Sequence, residues 1–308
     1  MQFLWSAKTM AMGSGNDTSY ILEALFHNGT LPPCVNGTGG DALSQCEVCE
    51  EKYFDNCSSN VRVRVPLDGN MGTVDEFTVA DLCDVPATTY GWNDPGLIVR
   101  ALLPQASNEP RNVAYVLRNI DENGEYLSEL LHFRFPPAPA LGVGAEGIST
   151  RVACFGDMGR GTQDDTFTWD DYGSPSINTS LRLTAMAKAH EIDAVFHIGD
   201  ISYARGYSAV WDEFLDMAAP FTSQVPYFIL QGTHEYNADT NRIEWPASFT
   251  AQITTFAKND SGGECGVAAS MYLRSPSNTK PYGSYFSYEI GGLQIVGMNT
   301  EIVFTSGS

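Results

Sequence analysis

Ala194-Val195-Phe196-His197-Ile198-Gly199-Asp200-Ile201-Ser202-Tyr203 is an apolar run of strand length that ends in a polar turn opened by Gly-Asp. Two flanking stretches have the same form. Val152–Phe155 runs into Gly156-Asp157-Met158-Gly159, and Val225–Leu230 runs into Gly232-Thr233-His234-Glu235. Each intervening segment reads as a helix. In the first, Asn178 is the predicted N-cap, and Leu181, Ala185 and Ala189 repeat at helical spacing. In the second, Val210, Phe214 and Met217 form the predicted buried stripe. A β-α-β-α-β series gives parallel strands with right-handed crossovers, so the polar turns share one sheet edge. Open α/β sheets bind their ligands at that carboxyl edge.

The edge therefore collects Asp157, Asp200, Tyr203 and His234. Carboxylates, a phenolate and an imidazole suit hard or borderline cations such as Fe(III), Zn(II) or Mn(II). A carboxylate on the central strand is placed to bridge two such ions, the arrangement that clamps attacking and leaving oxygens in phosphoryl transfer. A single Gly-Asp turn is ordinarily only a turn. Such turns at consecutive strand ends, the last carrying a histidine, point to chemistry. Gly159-Arg160-Gly161 lacks the Lys-Ser/Thr ending of a nucleotide-binding P-loop, which excludes that reading.

The three polar turns resemble the first three motifs of the purple acid phosphatases, within the metallophosphoesterase superfamily, and Tyr203 narrows the likeness to that family. Gly91-Trp92-Asn93-Asp94-Pro95-Gly96 and Gly262-Gly263-Glu264-Cys265-Gly266 are similar to flanking text of the large plant-type members. The likeness runs from about Val61 to Glu301. It implies an acid phosphatase that hydrolyses phosphate monoesters at a dinuclear centre of Fe(III) and a divalent ion (Zn, Mn or Fe). Asp157 and Tyr203 would bind the ferric ion and Asp200 would bridge. His234 would position the phosphate and protonate the leaving oxygen. The family has Asn where Thr233 stands, which marks Thr233 as a degenerate metal position. Three further histidine ligands of the family would follow Ser308, so the resemblance implies a catalytic domain incomplete at its C-terminus. His27, His132, His190 and His197 read as structural.

The formal charge of −20 over 308 residues argues against nucleic acid or an anionic membrane as partner, and nothing approaches a membrane span. Bound di- and trivalent ions would reverse the local field that otherwise repels a phosphate ester. Seven cysteines and the sequons at Asn16, Asn28, Asn36, Asn56, Asn178 and Asn259 suggest a glycosylated, secreted protein. Cys34, Cys46, Cys49 and Cys57 read as a local disulfide knot, with half a zinc site at Cys46-x-x-Cys49 as the alternative. An odd cysteine total leaves a free thiol, predicted to be Cys154, buried in its strand. Sequons without a leader imply a truncated N-terminus.

Two domains are expected. Residues 1–137 read as a β-sandwich with a Cys-rich insertion at about 17–57, which holds one short amphipathic piece, Tyr20–Phe26. Gln2–Ser6, Val61–Val65, Ile98–Leu103, Val113–Leu117 and Leu130–Phe135 are its strand candidates, the last two joined through Asn123-Gly124. The family resemblance implies that this sandwich is fibronectin-III-like. Residues 138–150, rich in proline and then glycine, form the linker. Residues 151–308 are a partial metallophosphoesterase domain, a sandwich flanked by helices. Asn237–Tyr282 reads as a long polar loop, and Gly291-Gly292 closes a hairpin between Tyr285–Ile290 and Leu293–Met298.

Two functions stand open: a metal-dependent phosphomonoesterase acting on a small phosphate ester, or a secreted, non-catalytic glycoprotein on the same scaffold with a degenerate metal site.

Overall fold

The computed structural model describes residues 2–9, 19–27, 61–66, 72–75, 77–92, 97–104, 112–121, 124–127, 131–136, 150–161, 173–235, 261–274, 285–290 and 293–299. The strands are β1 (Gln2–Thr9), β2 (Ser19–His27), β3 (Val61–Pro66), β4 (Gly72–Asp75), β5 (Leu97–Pro104), β6 (Asn112–Asp121), β7 (Gly124–Leu127), β8 (Leu131–Arg134), β9 (Val152–Phe155), β10 (Ala194–Ile198), β11 (Tyr227–Leu230), β12 (Tyr285–Ile290) and β13 (Leu293–Met298). The helices are α1 (Gly173–Lys188), α2 (Ser208–Thr222) and α3 (Val267–Tyr272).

The first eight strands make two antiparallel sheets. One has the order β1-β5-β4, and the other β3-β2-β6-β7 with β8 also on β6. Tyr20–Phe26, read from sequence as a piece of an insertion, lies in β2 between β3 and β6. The strand after β6 is the unforeseen β7, which starts at Gly124 opposite Asp121, and not Leu130–Phe135; Asn123 lies outside the described residues. The Cys34–Cys57 cluster and the 138–149 stretch lie outside the described residues, as do all the sequons except Asn178, which is exposed on α1.

β9, β10 and β11 form the expected parallel sheet, in the order β11-β10-β9. β10 is central. Ala194, Val195, Phe196 and His197 are all buried there, as a continuous apolar run predicts for a parallel strand covered on both faces. β12 and β13 pair antiparallel with Ile290 opposite Leu293, while Gly291-Gly292, read as the turn between them, lie outside the described residues. Phe286 and Ile290 of β12 join Ala194, Phe196 and Phe228 in a second apolar cluster.

α1 differs from its sequence reading. It starts at Gly173, which puts Asn178 inside the helix, and Leu181 is 63% exposed. Ala185 and Ala189 are exposed too. The buried side chains are instead Ser176, Ser180, Leu183 and Ala187. Small serines allow close approach to α2, and Ser180 Oγ donates to the Met217 carbonyl at 2.5 Å. α2 buries Val210, Trp211, Phe214, Ala218 and Phe221, with Met217 packed at the edge of the same core.

The main core is continuous across the chain. Phe77, Trp92 and Ile98 pack in one cluster with Trp211, Phe214, Phe221 and Tyr272. Polar ties follow the same seam. Tyr115 Oη donates to the Ser223 carbonyl at 3.2 Å, and Arg134 Nη2 pairs with buried Asp193 Oδ1 at 2.9 Å. Cys83 and Cys265 form a disulfide across 182 residues. Cys154 is the free cysteine among the described residues, and it is exposed, not buried. As a short strand that pairs, among the described residues, with β10 alone, β9 leaves Val152 and Cys154 exposed.

Candidate metal centre

The turns after β9, β10 and β11 meet at the carboxyl edge of the parallel sheet. Asp157 follows β9, Asp200 and Tyr203 follow β10, and Thr233 and His234 follow β11. Tyr203 Oη donates to Asp157 Oδ1 at 3.0 Å and lies 3.5 Å from Asp200 Oδ2. The other oxygen of that aspartate, Oδ1, accepts the His234 backbone N–H at 3.1 Å and lies 3.4 Å from Thr233 Oγ1. The rings of Tyr203 and His234 sit 4.4 Å apart, tilted by 48°. All five residues singled out from sequence are thus assembled at one place.

The backbone at this edge is strained. Asp157, Asp200 and Tyr203 have φ of 58°, 51° and 52°, a left-handed region that costs a side-chain-bearing residue on the order of 1 kcal/mol or more. Backbone bonds tie the turns together, Asp157 N to Gly199 O at 3.1 Å and Gly159 N to Ile201 O at 2.9 Å. Gly232 lets the third turn close on the second, because a Cβ there would collide with the amide nitrogen and Oδ1 of Asp200.

Two buried glutamates stand behind the edge. Glu235 accepts from the Ile201 N–H at 2.7 Å and the Gly232 N–H at 3.0 Å. Glu264 accepts from the Gly206 N–H and from Trp211 Nε1, both at 2.8 Å. Burial raises Glu235 to about 7 against the pull of its N–H donors. Burial likewise raises Glu264 to about 8, with the charge of Glu235 adding to it. Both residues stood inside quoted motifs, but a buried carboxylate carries no sequence signal of its own. His197, read as structural, is fully buried, and desolvation lowers it to about 3, so it is neutral. Its Nδ1 meets Tyr227 Oη at 2.7 Å. His190, just past the C-terminus of α1, and His132 in β8 are exposed and away from this edge.

No family model matches the chain. Among curated proteins, it is 36% identical over 235 residues to "Probable inactive purple acid phosphatase 27" of Arabidopsis thaliana, which covers 75% of this chain and 35% of that protein. "Probable inactive purple acid phosphatase 1" of the same plant is 33% identical over 232 residues, with the same shares covered. A solved purple acid phosphatase, PPD1 from yellow lupin (Lupinus luteus) seeds, matches with a TM-score of 0.69 and 26% identity, covering 100% of this chain and 43% of that one. The chain belongs to the purple acid phosphatases. It spans about a third of the length of the curated relatives it matches, 35% in each case.

Membership of the purple acid phosphatases implies a dinuclear metal centre, and the described residues fit one half of it. Asp157, Asp200 and Tyr203 present an all-oxygen donor set, with the phenol oxygen 3.0 and 3.5 Å from the two carboxylates, a chemistry that suits a hard cation. Among the described residues no group of three or more His, Cys, Asp and Glu side chains is assembled for a metal. The third donor here is a phenol, outside that set. For a second ion the described residues offer Asp200 Oδ1, already accepting from the His234 N–H, and the Thr233 hydroxyl. That pair alone does not make a site.

Proposed function

We propose that this purple acid phosphatase chain carries the iron-binding half of a metal-dependent phosphomonoesterase that acts on small phosphate esters. The observation that carries the reading is the convergence of Asp157, Asp200 and Tyr203 oxygens within 3.0–3.5 Å, beside the His234 ring. Asp157 and Tyr203 would hold Fe(III), with Asp200 shared between it and a divalent ion. When bound, such ions supply Lewis acidity and offset charge on the phosphoryl oxygens. The chain's own contribution is to hold the two carboxylates 3.0 and 3.5 Å from the phenol oxygen. The His234 imidazole, against the Tyr203 ring, would bind a phosphoryl oxygen and give a proton to the departing alkoxide.

The test is to load the protein with Fe(III) and Zn(II) and follow p-nitrophenyl phosphate hydrolysis at acid pH, with Asp200→Ala and His234→Ala beside it. Asp200→Ala should lose metal and activity together. His234→Ala should keep the metal and lose turnover. Hydrolysis that survives Asp200→Ala refutes the reading.

The second reading, a non-catalytic scaffold, is favoured by Thr233 at the divalent-ion position and by relatives whose names describe them as inactive. Iron binding without hydrolysis at saturating divalent metal would select it. For the remaining architecture we propose that the two antiparallel sheets are a fibronectin-III-like sandwich spanning residues 1–137, with residues 138–150 as linker. The sequons and the Cys83–Cys265 bond support a secreted protein. Among the described residues no helix is long and apolar enough to cross a membrane.

A further inference from the structure

The loop that carries Tyr203 is left-handed at four of the seven residues from 200 to 206: Asp200 at φ 51°, Tyr203 at 52°, Arg205 at 52° and Gly206 at 88°. Such a path persists only where surrounding structure over-determines it. The two ends of this loop are held by different carboxylates. Glu235 takes the Ile201 N–H, next to Asp200, at 2.7 Å, and Glu264 takes the Gly206 N–H at 2.8 Å. The second oxygen of each carboxylate grips a neighbouring element, Gly232 N–H for Glu235 and Trp211 Nε1 for Glu264. We propose that Glu235 and Glu264 are positioning residues, a two-point clamp that sets the loop so that Asp200 and Tyr203 face Asp157 as metal ligands. The inference rests on the metal-binding reading above.

Three further observations support it. The glutamates are mechanically linked, because Gly266 N donates to the Glu235 carbonyl at 2.6 Å. Gln231 Nε2 adds a bond to the Gly266 carbonyl at 2.9 Å. The turn that bears Glu264 is fastened on its other side. Cys265 is bonded to Cys83, and the Gly263 carbonyl accepts from Cys83 N at 2.9 Å. Gly206 also packs backbone against backbone on Gly262, where a Cβ on either residue would collide with the opposite chain. The bonds of both carboxylates go to backbone N–H groups and to an indole, so they act on the path of the loop.

Each carboxylate faces two N–H donors, which makes glutamine a poor substitute: its amide nitrogen would oppose a donor. A protonated carboxyl differs, since its hydroxyl oxygen can still accept. The test uses Glu264→Gln, Trp211→Phe and their combination. The readouts are Fe(III) affinity, the position and intensity of the tyrosinate-to-iron absorption band, and thermal melting. Glu264→Gln should remain folded, weaken Fe(III) by roughly 10–100-fold, as expected of a group one shell out, and shift the band. Trp211→Phe removes the opposing donor. The double variant should therefore return to the affinity and band of Trp211→Phe alone, which a general loss of stability would not produce.

An unchanged band and affinity in folded Glu264→Gln would overturn the clamp, as would an affinity that Trp211→Phe fails to restore. If Glu264→Gln does not fold, Trp211→Phe alone decides: a severalfold weaker Fe(III) site supports the clamp and an unchanged one overturns it. A wild-type protein without a tyrosinate band would remove the metal-binding reading, and this inference with it.

Discussion

The Tyr203 hydroxyl donates to Asp157 Oδ1 at 3.0 Å, joining residues 46 positions apart in the chain. The bond exists because the parallel crossover through α1 sets the ends of β9 and β10 side by side, with Phe155 opposite His197 in the register. It also fixes what the phenol can do. With its proton it links two carboxylates, and without it the three oxygens form a strongly anionic pocket.

Tyr203→Phe should separate those roles. The ring contact with His234 at 4.4 Å is kept, and only the oxygen is lost. Fe(III) should bind more weakly by at least the roughly 10–100-fold seen when a ligand's support is removed, and no tyrosinate band should form. The metal-free protein should melt within a few degrees of wild type, because the Tyr203 side chain is half-exposed. A full-strength band in the variant would place the coloured ligand elsewhere.

The helix between β9 and β10 gives a stability test of which face is buried. Leu183 is 5% exposed and Leu181 is 63% exposed. Leu183→Ala should cost about 2–4 kcal/mol in urea unfolding. The same change at Leu181 should stay within about 0.5 kcal/mol. Equal losses would restore the stripe through Leu181 that the sequence suggests.

That helix also shows where sequence reasoning stops. The strand-turn units were legible because a parallel strand buried on both faces is a continuous apolar run, as in Ala194–Ile198. The antiparallel pairing of β12 and β13 was legible from turn chemistry in the sequence between them. The buried face of α1 was not. It is built from Ser176 and Ser180, chosen for close helix packing, and polarity hides that. β2 was masked by the Gly- and Cys-rich text that follows it. α3 was lost inside a polar loop because it is only six residues long. The residues that meet at the carboxyl edge were readable from motif and position. Glu235 and Glu264 were not given roles, because their partners are backbone N–H groups and an indole brought close only by the fold.

Stability should fall as pH rises above about 6.5, in the metal-free protein. Glu264 is raised from 4.5 to about 8, so the folded state holds a proton that the unfolded chain has lost between those values. Stability from this group is complete below about 4.5 and drains as pH climbs through about 8, by on the order of a few kcal/mol. His197 acts oppositely. Lowered to about 3 from 6.5, it penalises the fold below about 6.5 and is silent above it. The window from about 6.5 to 8 is therefore left to the two buried carboxyls, Glu264 and Glu235, the latter raised to about 7. Urea midpoints at pH 6.5, 7.25 and 8 should decline in wild type, a range chosen to lie roughly between the two shifted groups. Glu264→Gln, which cannot ionise, should make the decline shallower and leave only the part due to Glu235, which is complete by a lower pH. A wild-type midpoint that rises across this window would contradict the assignment.

Thr233 offers the sharpest distinction between a weakened enzyme and a bare scaffold. Its hydroxyl lies 3.4 Å from Asp200 Oδ1, the oxygen that would face the divalent ion. An asparagine there would reach further and present a carbonyl oxygen, a better ligand for a borderline cation than a neutral hydroxyl. Thr233→Asn touches none of the residues proposed for iron, so iron loading and the tyrosinate band should be unchanged. Zn(II) or Mn(II) should bind more tightly by more than roughly tenfold, since a ligand is gained and not merely its support. If the native protein is a phosphatase starved of its second ion, excess divalent metal should raise wild-type turnover, and Thr233→Asn should remove the need for that excess. If the protein is a scaffold, the variant should gain metal affinity and no turnover. Titration of both proteins with Zn(II), followed by calorimetry and by p-nitrophenyl phosphate hydrolysis, separates the cases. Identical metal dependence in the two proteins would show that Thr233, or a water it holds, already serves as the ligand, and would sink the view of this position as degenerate.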